Sequence, residues 1–411
     1  MGTQRGDFLQ QQSLDEIFDD YMKKESVFKD KDKLSTNYNP KNLPHRDEEI
    51  RSIASLLAPA LKGNKPSNLF VYGKTGTGKS AVIKRVTERL RQKSEENGTE
   101  VKIVYLNCKL RKVADTEYRL IAELARKLGK DVPSTGLPTD EVYERFFDAL
   151  DSDKRILVLI LDEIDSLVEK TGDEFLYNLT RVNEELKRSK LSLVGISNDL
   201  SFTRDIDPRV KSSLSEEELL FSPYDASQLK DILQSRADEA FHEGAILQGV
   251  VQKCSALAAQ EHGDARRAID LLRVSGELAE RSDSEEVRPE HVDKAENEID
   301  RNKVLEVVES QPRQSQAVLW SIINLCEERD EMVQTGEVHS LYEQVCNTSG
   351  LDPLTQRRVS DLISELDMLG IIQAKVTSHG RYGRTRMIKP AVSTNVKNQL
   401  KNILKEKYYF G

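Results

Sequence analysis

The sequence predicts three folded units in series: an α/β domain with a parallel sheet covered on both faces, a small all-helical domain, and a C-terminal winged helix-turn-helix. Three observations predict this. Apolar runs alternate with helix-periodic segments up to Pro223, the mark of a covered parallel sheet. Strand signals then cease and helical segments follow. The remainder shows three helical segments and then two strand-like runs joined by a turn. The expected divisions are a mobile N-terminal arm over 1–36, the α/β domain over 37–222, the helical domain over 223–302 and the winged helix over 303–411.

Residues 1–36 mix acids and lysines with few apolar anchors, which reads as an arm with a short helix over Leu14–Met22. Pro40 and Pro44 then force extended chain, and Asp47 caps a helix over Glu48–Lys62. Asn68–Tyr72 is the first strand, and a helix over Ala81–Arg91 follows the glycine-rich stretch between them. Val101–Leu106, Arg155–Leu161, Leu191–Ile196 and Glu218–Phe221 are the further strands. The unbroken apolar run over Ile156–Leu161 is that of a central strand. Helices over Thr116–Leu128 and Thr139–Leu150 flank a loop at Pro133–Pro138. Asp140 and Glu141 suit the first turn of the second helix. Beyond Pro223 the helical spans are Ser227–Ala240, Ile246–Glu261, Ala265–Arg281 and Pro289–Asp300. Asp300–Lys303 opens a charged connection, either a linker or a continuing helix. In the third unit, helices over Ser315–Glu328 (with the single tryptophan, Trp320), Glu337–Cys346 and Thr355–Leu369 precede strands at Ile371–Thr377 and Arg384–Ile388. The turn Ser378–Gly383 joins those strands.

The 411 residues are 37% hydrophobic and 32% charged, a soluble globular composition. The apolar run Ile156–Leu161 is far too short to span a bilayer, and the polar, acidic N-terminus lacks a signal-peptide pattern, so no membrane partner is expected. Cys108, Cys254, Cys326 and Cys346 show no metal or C-x-x-C spacing and read as buried thiols of a reducing cytoplasm. Net charge is −9, but Gln373–Gly411 carries nine Lys or Arg against one acid, Glu406, hence +8, leaving −17 upstream. That asymmetry makes the C-terminal end a surface for a polyanion, the alternative being a solvated basic tail.

The chemistry starts at Gly73-Lys74-Thr75-Gly76-Thr77-Gly78-Lys79-Ser80, between a strand and the helix opened by Ala81. This is the phosphate-binding loop in its required context. Its glycines let successive N–H groups face a polyphosphate, and the helix adds unpaired amides and the positive end of its dipole. Lys79 reaches the outer phosphates and Ser80 ligates Mg²⁺. Asp162 and Glu163 end the most apolar strand, where such sheets bind ligands. Asp162 fits a Mg²⁺-binding acid and Glu163 a base that polarises the attacking water. Asn198 closes the next strand and either holds that water or the γ-phosphate, or is an ordinary turn residue. Arg209 follows Asp207-Pro208, an exposed position suited to a finger for a neighbouring subunit's phosphate. Arg266 lies on the first turn of a helix, where a cation opposes the dipole. It is there for an anion supplied from elsewhere, or for a salt bridge to Asp264 or Asp270.

In this order, with Leu43-Pro44-His45-Arg46 and Gly263-Asp264-Ala265-Arg266, these residues resemble the AAA+ ATPases of the archaeal replication-initiator family, related to the origin recognition complex and its partner helicase-loading protein. The resemblance covers nearly the whole chain from Tyr38. It implies that Lys79, Ser80, Asp162 and Glu163 form the two Walker motifs, that Asn198 is sensor 1 and Arg266 sensor 2, and that Arg209 is the arginine finger. Leu43 to Arg46 would line the adenine side, and Pro223-Tyr224 and Arg236 would contact the nucleotide where the lid begins. ATP or ADP with Mg²⁺ is the implied cofactor set. A DNA-touching insertion is implied between Cys108 and Leu150. The wing, Gly380-Arg381-Tyr382-Gly383-Arg384, departs from the Gly-Gly-Arg type. The implied partners are double-stranded origin DNA, the replicative helicase and further copies of the chain on DNA. The implied place is the cytoplasm, on the nucleoid.

The nucleic-acid surface also follows from the residues themselves. Gln356, Arg357 and Arg358 open the third helix of the third unit and can enter a major groove. Arg381, Arg384 and Arg386 lie on the hairpin, where they can straddle the backbone or minor groove. The alternative is a winged helix used for protein contacts. Competing readings for the whole are a clamp-loader-like motor and a DNA-binding regulator that holds nucleotide structurally. The winged helix argues against the first, and Glu163 with Asn198 argues for hydrolysis over mere holding.

Overall fold

In the computed structural model, residues 25–35, 38–40, 42–109, 116–133, 135–202, 206–214, 216–329, 331–378, 384–392 and 394–408 are described. The helix expected over Leu14–Met22 lies outside them, as do Arg381 and the rest of 379–383. The chain divides into two units, with the boundary between Val292 and Asp293.

The first unit opens with α1 (Asp47–Leu57), which tightens into a 3₁₀ turn at Ala58–Lys62. Pro59 accounts for the change, because it lacks an N–H and crowds the carbonyl four residues back. Asp47 is in the first turn rather than at the cap, which is Arg46. Then come β1 (Leu69–Tyr72), α2 (Lys79–Asn97), β2 (Val101–Asn107), α3 (Glu117–Lys127), α4 (Thr139–Asp151) and β3 (Ile156–Asp162). They are followed by α5 (Ile164–Thr171), α6 (Glu174–Arg181), β4 (Lys190–Ser197), α7 (Pro208–Leu214) and β5 (Glu217–Leu220). α2 outlasts the expected Arg91 because Arg91 pairs with Glu88 and Glu95, one turn to either side.

The five strands are parallel, in the order β2-β3-β4-β1-β5. β3 is buried along its whole length. Its alternate residues enter different cores: Leu157, Leu159 and Leu161 pack with Leu120 and Phe146, while Ile156, Val158 and Ile160 pack with Val82 and Ile83. The connection from β1 to β2 passes over β4 and β3, so strand order reverses beside β1, and the crevice at that switch point is where ligands bind. Tyr72 pairs with Ser197, and Asp162 with both Ile196 and Asn107, which aligns the four strand ends.

The helical part of this unit comprises α8 (Ala226–Ala240), α9 (Val250–Glu261), α10 (Ala265–Arg281) and the start of α11 (Pro289–Ser310). α9 begins later than Ile246 because Gly249, at φ 96°, turns the chain just before it. Residues 25–35, expected as part of a mobile arm, are seated on these helices. Val27, Phe28 and Leu34 are buried, and the Lys29 and Asp30 amides donate to Ala240 O at 2.8 and 3.1 Å. Averaged composition conceals these three anchors among the surrounding charges. The Phe28 ring lies 4.7 Å from that of Phe241 and also meets α10 at Gly276, where a Cβ would stand 2.4 Å from Phe28 Cζ. Gly276→Val is therefore expected to expel Phe28 and to destabilise by about 1–3 kcal/mol. A thermal melt checks this, and an unchanged Tm would show that the seated segment adds nothing to stability.

The second unit contains most of α11, then α12 (Arg313–Arg329), β6 (Val333–Gln334), α13 (Thr335–Ser349), α14 (Gln356–Met368), β7 (Ile372–Ser378), β8 (Arg384–Pro390) and α15 (Thr394–Tyr408). The expected two-stranded hairpin is a three-stranded antiparallel sheet, β6-β8-β7. Much of the segment for which a solvated basic tail was the alternative reading is a helix, α15, which buries Val396, Leu400 and Leu404 and pairs Lys401 with Glu327. Their four-residue spacing is a helix signal hidden by the lysines between them.

Candidate functional site

The loop after β1 bends where a side chain could not follow. Gly76 has φ 73°, and a Cβ there would lie 1.6 Å from Asp264 Oδ1. Gly78 has φ 90°, and its Cβ would lie 2.8 Å from the Tyr224 hydroxyl. No side chain caps α2, so its first amides are left for an anion. Lys79 is 5% exposed, and its Nζ donates to Gly73 O at 2.7 Å and Lys74 O at 2.8 Å. Burial pulls its pKa down to about 8; the Asp162 charge opposes that shift and Arg266 adds to it. Lys74 and Thr75 are exposed, and Thr77 turns its hydroxyl to Lys74 O at 2.9 Å.

A cavity of about 320 Å³ opens here, lined by Gly76–Ala81, Asp162, Glu163 and Asn198 from the sheet side and by Tyr224, Arg236 and Arg266 from the helical side. Gly73, Lys74 and Thr75, expected to touch nucleotide, are not among its lining residues. Asp162 is nearly buried and accepts from Ser80 Oγ at 2.8 Å, from the Tyr105 hydroxyl and, on Oδ1, from the Glu163 amide at 3.0 Å. Glu163 holds a left-handed backbone, φ 58° and ψ 47°, an uncommon conformation for a non-glycine residue. Asn107 Nδ2 donates to its Oε1 at 3.3 Å, and Lys109 Nζ lies 3.5 Å from its Oε2. Burial raises the pKa of Asp165, on the first turn of α5. Ser80 Oγ with the Asp162 carboxylate is a hard-oxygen donor pair, one member anionic, which fits Mg²⁺.

From the helical side, the Ala265 amide donates to Gly76 O at 3.2 Å, so α10 begins against the loop. Asp264 caps α10, accepting from the Arg266 and Arg267 amides at 2.7 and 3.4 Å, and Asp270 pairs with Arg273 at 3.1 Å. Of the two acids offered as alternative partners for Arg266, Asp264 thus takes its backbone amide and Asp270 is paired with Arg273. Arg236 is 8% exposed and stacks 4.6 Å from the Tyr38 ring; burial lowers its pKa. Tyr38 OH donates to Glu239 at 2.9 Å. Leu43 lines the cavity as expected, but Arg46 does not. It lies behind the loop, because its fork is taken up by Thr77 O, Ser222 O and Glu49. Arg209 also stands outside this cavity, 68% exposed, held by Asp207 at 2.9 and 3.1 Å and lying 5.0 Å from the Tyr177 ring. That contact holds the Asp207 carboxyl down to about 2.

Tyr38, Tyr105, Asn107, Lys109 and Asp165 were absent from the sequence-level site. Tyr105 and Asn107 share one face of β2, a period-2 signal, but it points at Asp162 only once β2 is known to pair with β3.

In the second unit, Thr355 Oγ1 caps α14 by accepting from the Arg358 amide, and Gln356, Arg357 and Arg358 stand exposed on its first turn. Arg358 lies 3.7 Å from Asp361. Tyr342, fully buried, donates to Gln314 and accepts from the Leu354 amide at 3.1 Å, which fixes the turn before α14. Arg386 departs from the expected outward placement. It donates to Ser360 O at 3.0 Å and Ser364 Oγ at 2.6 Å, bracing α14. Strand alternation explains this, since Arg386 shares a face with the buried Ile388. Arg384 starts β8 opposite Ser378.

Three family models match in succession: an AAA ATPase domain over 42–194, a Cdc6 AAA+ ATPase-type lid domain over 230–297 and a CDC6 C-terminal winged helix domain over 306–397. The chain is 50% identical over 399 residues to the ORC1-type DNA replication protein of Pyrococcus furiosus, covering 96% of this chain and 94% of that one. It is 50% identical over 400 residues to ORC1-type DNA replication protein 1 of Methanosarcina mazei, covering 97% and 95%. The solved structure of the Aeropyrum pernix ORC1 protein in complex with DNA matches with a TM-score of 0.81 at 46% identity, over 94% of this chain and 99% of that one. Drosophila ORC bound to DNA matches at 19% identity with a TM-score of 0.57, a likeness of fold alone.

Proposed function

This chain belongs to the family of ORC1-type DNA replication proteins, and we propose that it is a replication initiator that binds double-stranded origin DNA, is switched by slow ATP hydrolysis and helps recruit or load the replicative helicase. The observation that carries this reading is that the loop, the Asp162–Glu163 strand end and Arg266 of α10 all line one cavity. The α/β domain (37–222), the helical domain (223–302) and the winged helix (303–411) are its working parts.

The loop amides and the α2 N-terminus take the polyphosphate of ATP, and Lys79 exchanges its carbonyl partners for phosphate oxygens. Ser80 and Asp162 would hold Mg²⁺, which would neutralise phosphate charge. Glu163 orients and polarises the attacking water, with Asn198 beside it. The grip of Asn107 and Lys109 on Glu163 accounts for a slow rate. Arg266 meets the γ-phosphate from the helical side, so its loss on hydrolysis removes the anion that draws α10 to the loop. Leu43, Tyr224 and Arg236 flank the rest of the nucleotide, with Tyr38. Arg209 serves the site of a neighbouring copy on DNA.

On DNA, α14 enters the major groove with Gln356, Arg357 and Arg358, and Arg384 at the wing contacts the backbone. Arg357→Ala is expected to weaken binding by about 1–3 kcal/mol if it reads a base. Arg384→Ala is expected to weaken binding on all sequences and to reduce the salt slope by about one. A titration of DNA affinity against salt separates the two, and an unchanged slope for Arg384→Ala removes it from the phosphate contacts. Footprinting on fragments of the protein's own genome tests the whole reading. Discrete protected sites are expected, and uniform coating would refute origin recognition.

A further inference from the structure

Arg46 is 4% exposed and spends its entire guanidinium on the protein itself. Nε donates to Thr77 O at 3.0 Å, Nη2 to Ser222 O at 2.6 Å and Nη1 to Glu49 Oε1 at 2.8 Å. Its Cζ lies over the Tyr224 ring, 4.0 Å from the centroid, and 5.3 Å from the centroid of Phe221. Thr77 belongs to the phosphate loop. Ser222 to Tyr224 is the segment from which the helical domain departs, just before α8 begins at Ala226. One planar, buried fork is therefore bonded both to the phosphate loop and to the segment that leads into α8.

The contacts form a closed circuit. From Tyr224, the backbone amide donates to Gly263 O at 3.3 Å, and a Cβ on Gly263 would stand 2.3 Å from Tyr224 O. Gly263 leads through Asp264 to Ala265, whose amide returns to the loop at Gly76 O, 3.2 Å away. Arg266, the next residue, faces the cavity.

We propose that Arg46 is a positioning residue that relays the state of the phosphate loop to the hinge of the helical domain, so that loop, hinge and Arg266 move together. The inference rests on the nucleotide-switch reading above. The physical reason is the geometry of the fork. When the loop amides turn to grip a polyphosphate, the carbonyl direction of Thr77 is fixed with them. A planar guanidinium that follows that carbonyl carries its other edge, on Ser222 O, and its stacked face, on Tyr224, by the same rotation. Breaking one bond alone leaves a buried donor unpaired, so the three bonds are kept or lost together. A lysine at this place keeps the charge but has neither plane nor second edge.

The test uses Arg46→Lys in the full chain. Three quantities are measured: binding of labelled ATP and ADP, steady-state hydrolysis, and hydrogen exchange of residues 222–229 and 263–270 with each nucleotide. Expected for Arg46→Lys is an ATP Kd within about threefold of the parent. Its kcat falls by about tenfold at little-changed KM. The ATP-minus-ADP difference in exchange, present in the parent, disappears. An ATP Kd weakened more than about tenfold with the exchange difference intact makes Arg46 a nucleotide ligand and overturns the proposal. A lowered Tm with the exchange difference intact makes it a plain strut and overturns it equally. Glu49→Gln leaves Arg46 in place but weakens its outer anchor. It is expected to lose part of the exchange difference, and it decides the question if Arg46→Lys does not fold, a full difference then overturning the relay. A parent protein with no ATP–ADP difference contradicts the switch reading itself, and this inference with it.

Discussion

Lys79→Ala is expected to abolish ATP binding, with Kd weakened by at least about 100-fold, since charge-assisted contacts to phosphate are worth roughly 1.5–3 kcal/mol each. Lys79 sits 5% exposed at the floor of the loop, where low dielectric makes its charge count more than a surface lysine's would. In the protein it bonds the carbonyls of Gly73 and Lys74, so its head is held at the point the loop encloses. Removing it leaves those two carbonyls to relax, and a thermal melt distinguishes that effect from loss of the ligand contact. Undiminished binding of labelled ATP to a folded Lys79→Ala protein would remove the phosphate-loop assignment.

Glu163→Gln is expected to bind ATP normally and to hydrolyse it about 100-fold or more slowly in a single turnover, the range lost with a positioned general base. The change is isosteric, and its amide oxygen can still accept from Asn107 Nδ2, now 3.3 Å from Oε1. Geometry is kept while basicity is lost. Equal single-turnover rates would exclude Glu163 as the base. The same variant holds the protein in its ATP form, which makes it the natural partner for DNA measurements.

Periodicity revealed much of this fold because its strands are covered on both faces. A run such as Ile156–Leu161 has no amphipathic ambiguity, and the shift from strand runs to helical periods at Pro223 falls where the sheet ends at β5. What stayed hidden was long-range or masked by charge. Asn107 and Tyr105 matter only because β2 neighbours β3, and pairing is not written in local pattern. α15 was concealed by lysines around Val396, Leu400 and Leu404, and the seat of Phe28 by the acids and lysines beside it. The resemblance puts Arg46 on the adenine side of the nucleotide, and residue type puts Arg386 on the DNA backbone or minor groove. The fold uses both as internal braces, since a buried guanidinium satisfies several carbonyls at once. Arg266 and Asp162 were legible as candidates, but the contact of α10 with Gly76 that puts the helical side into the same cavity was not.

The central claim is that nucleotide state sets the DNA-bound state. The affinity of the full chain for a footprinted fragment, measured at one fixed salt concentration with ATP and with ADP, tests it most directly. The expected result is a difference of about tenfold or more, on the scale of ordinary allosteric coupling, retained in Glu163→Gln with ATP and absent in Lys79→Ala. Equal affinities with ATP and ADP in the parent protein would contradict the account.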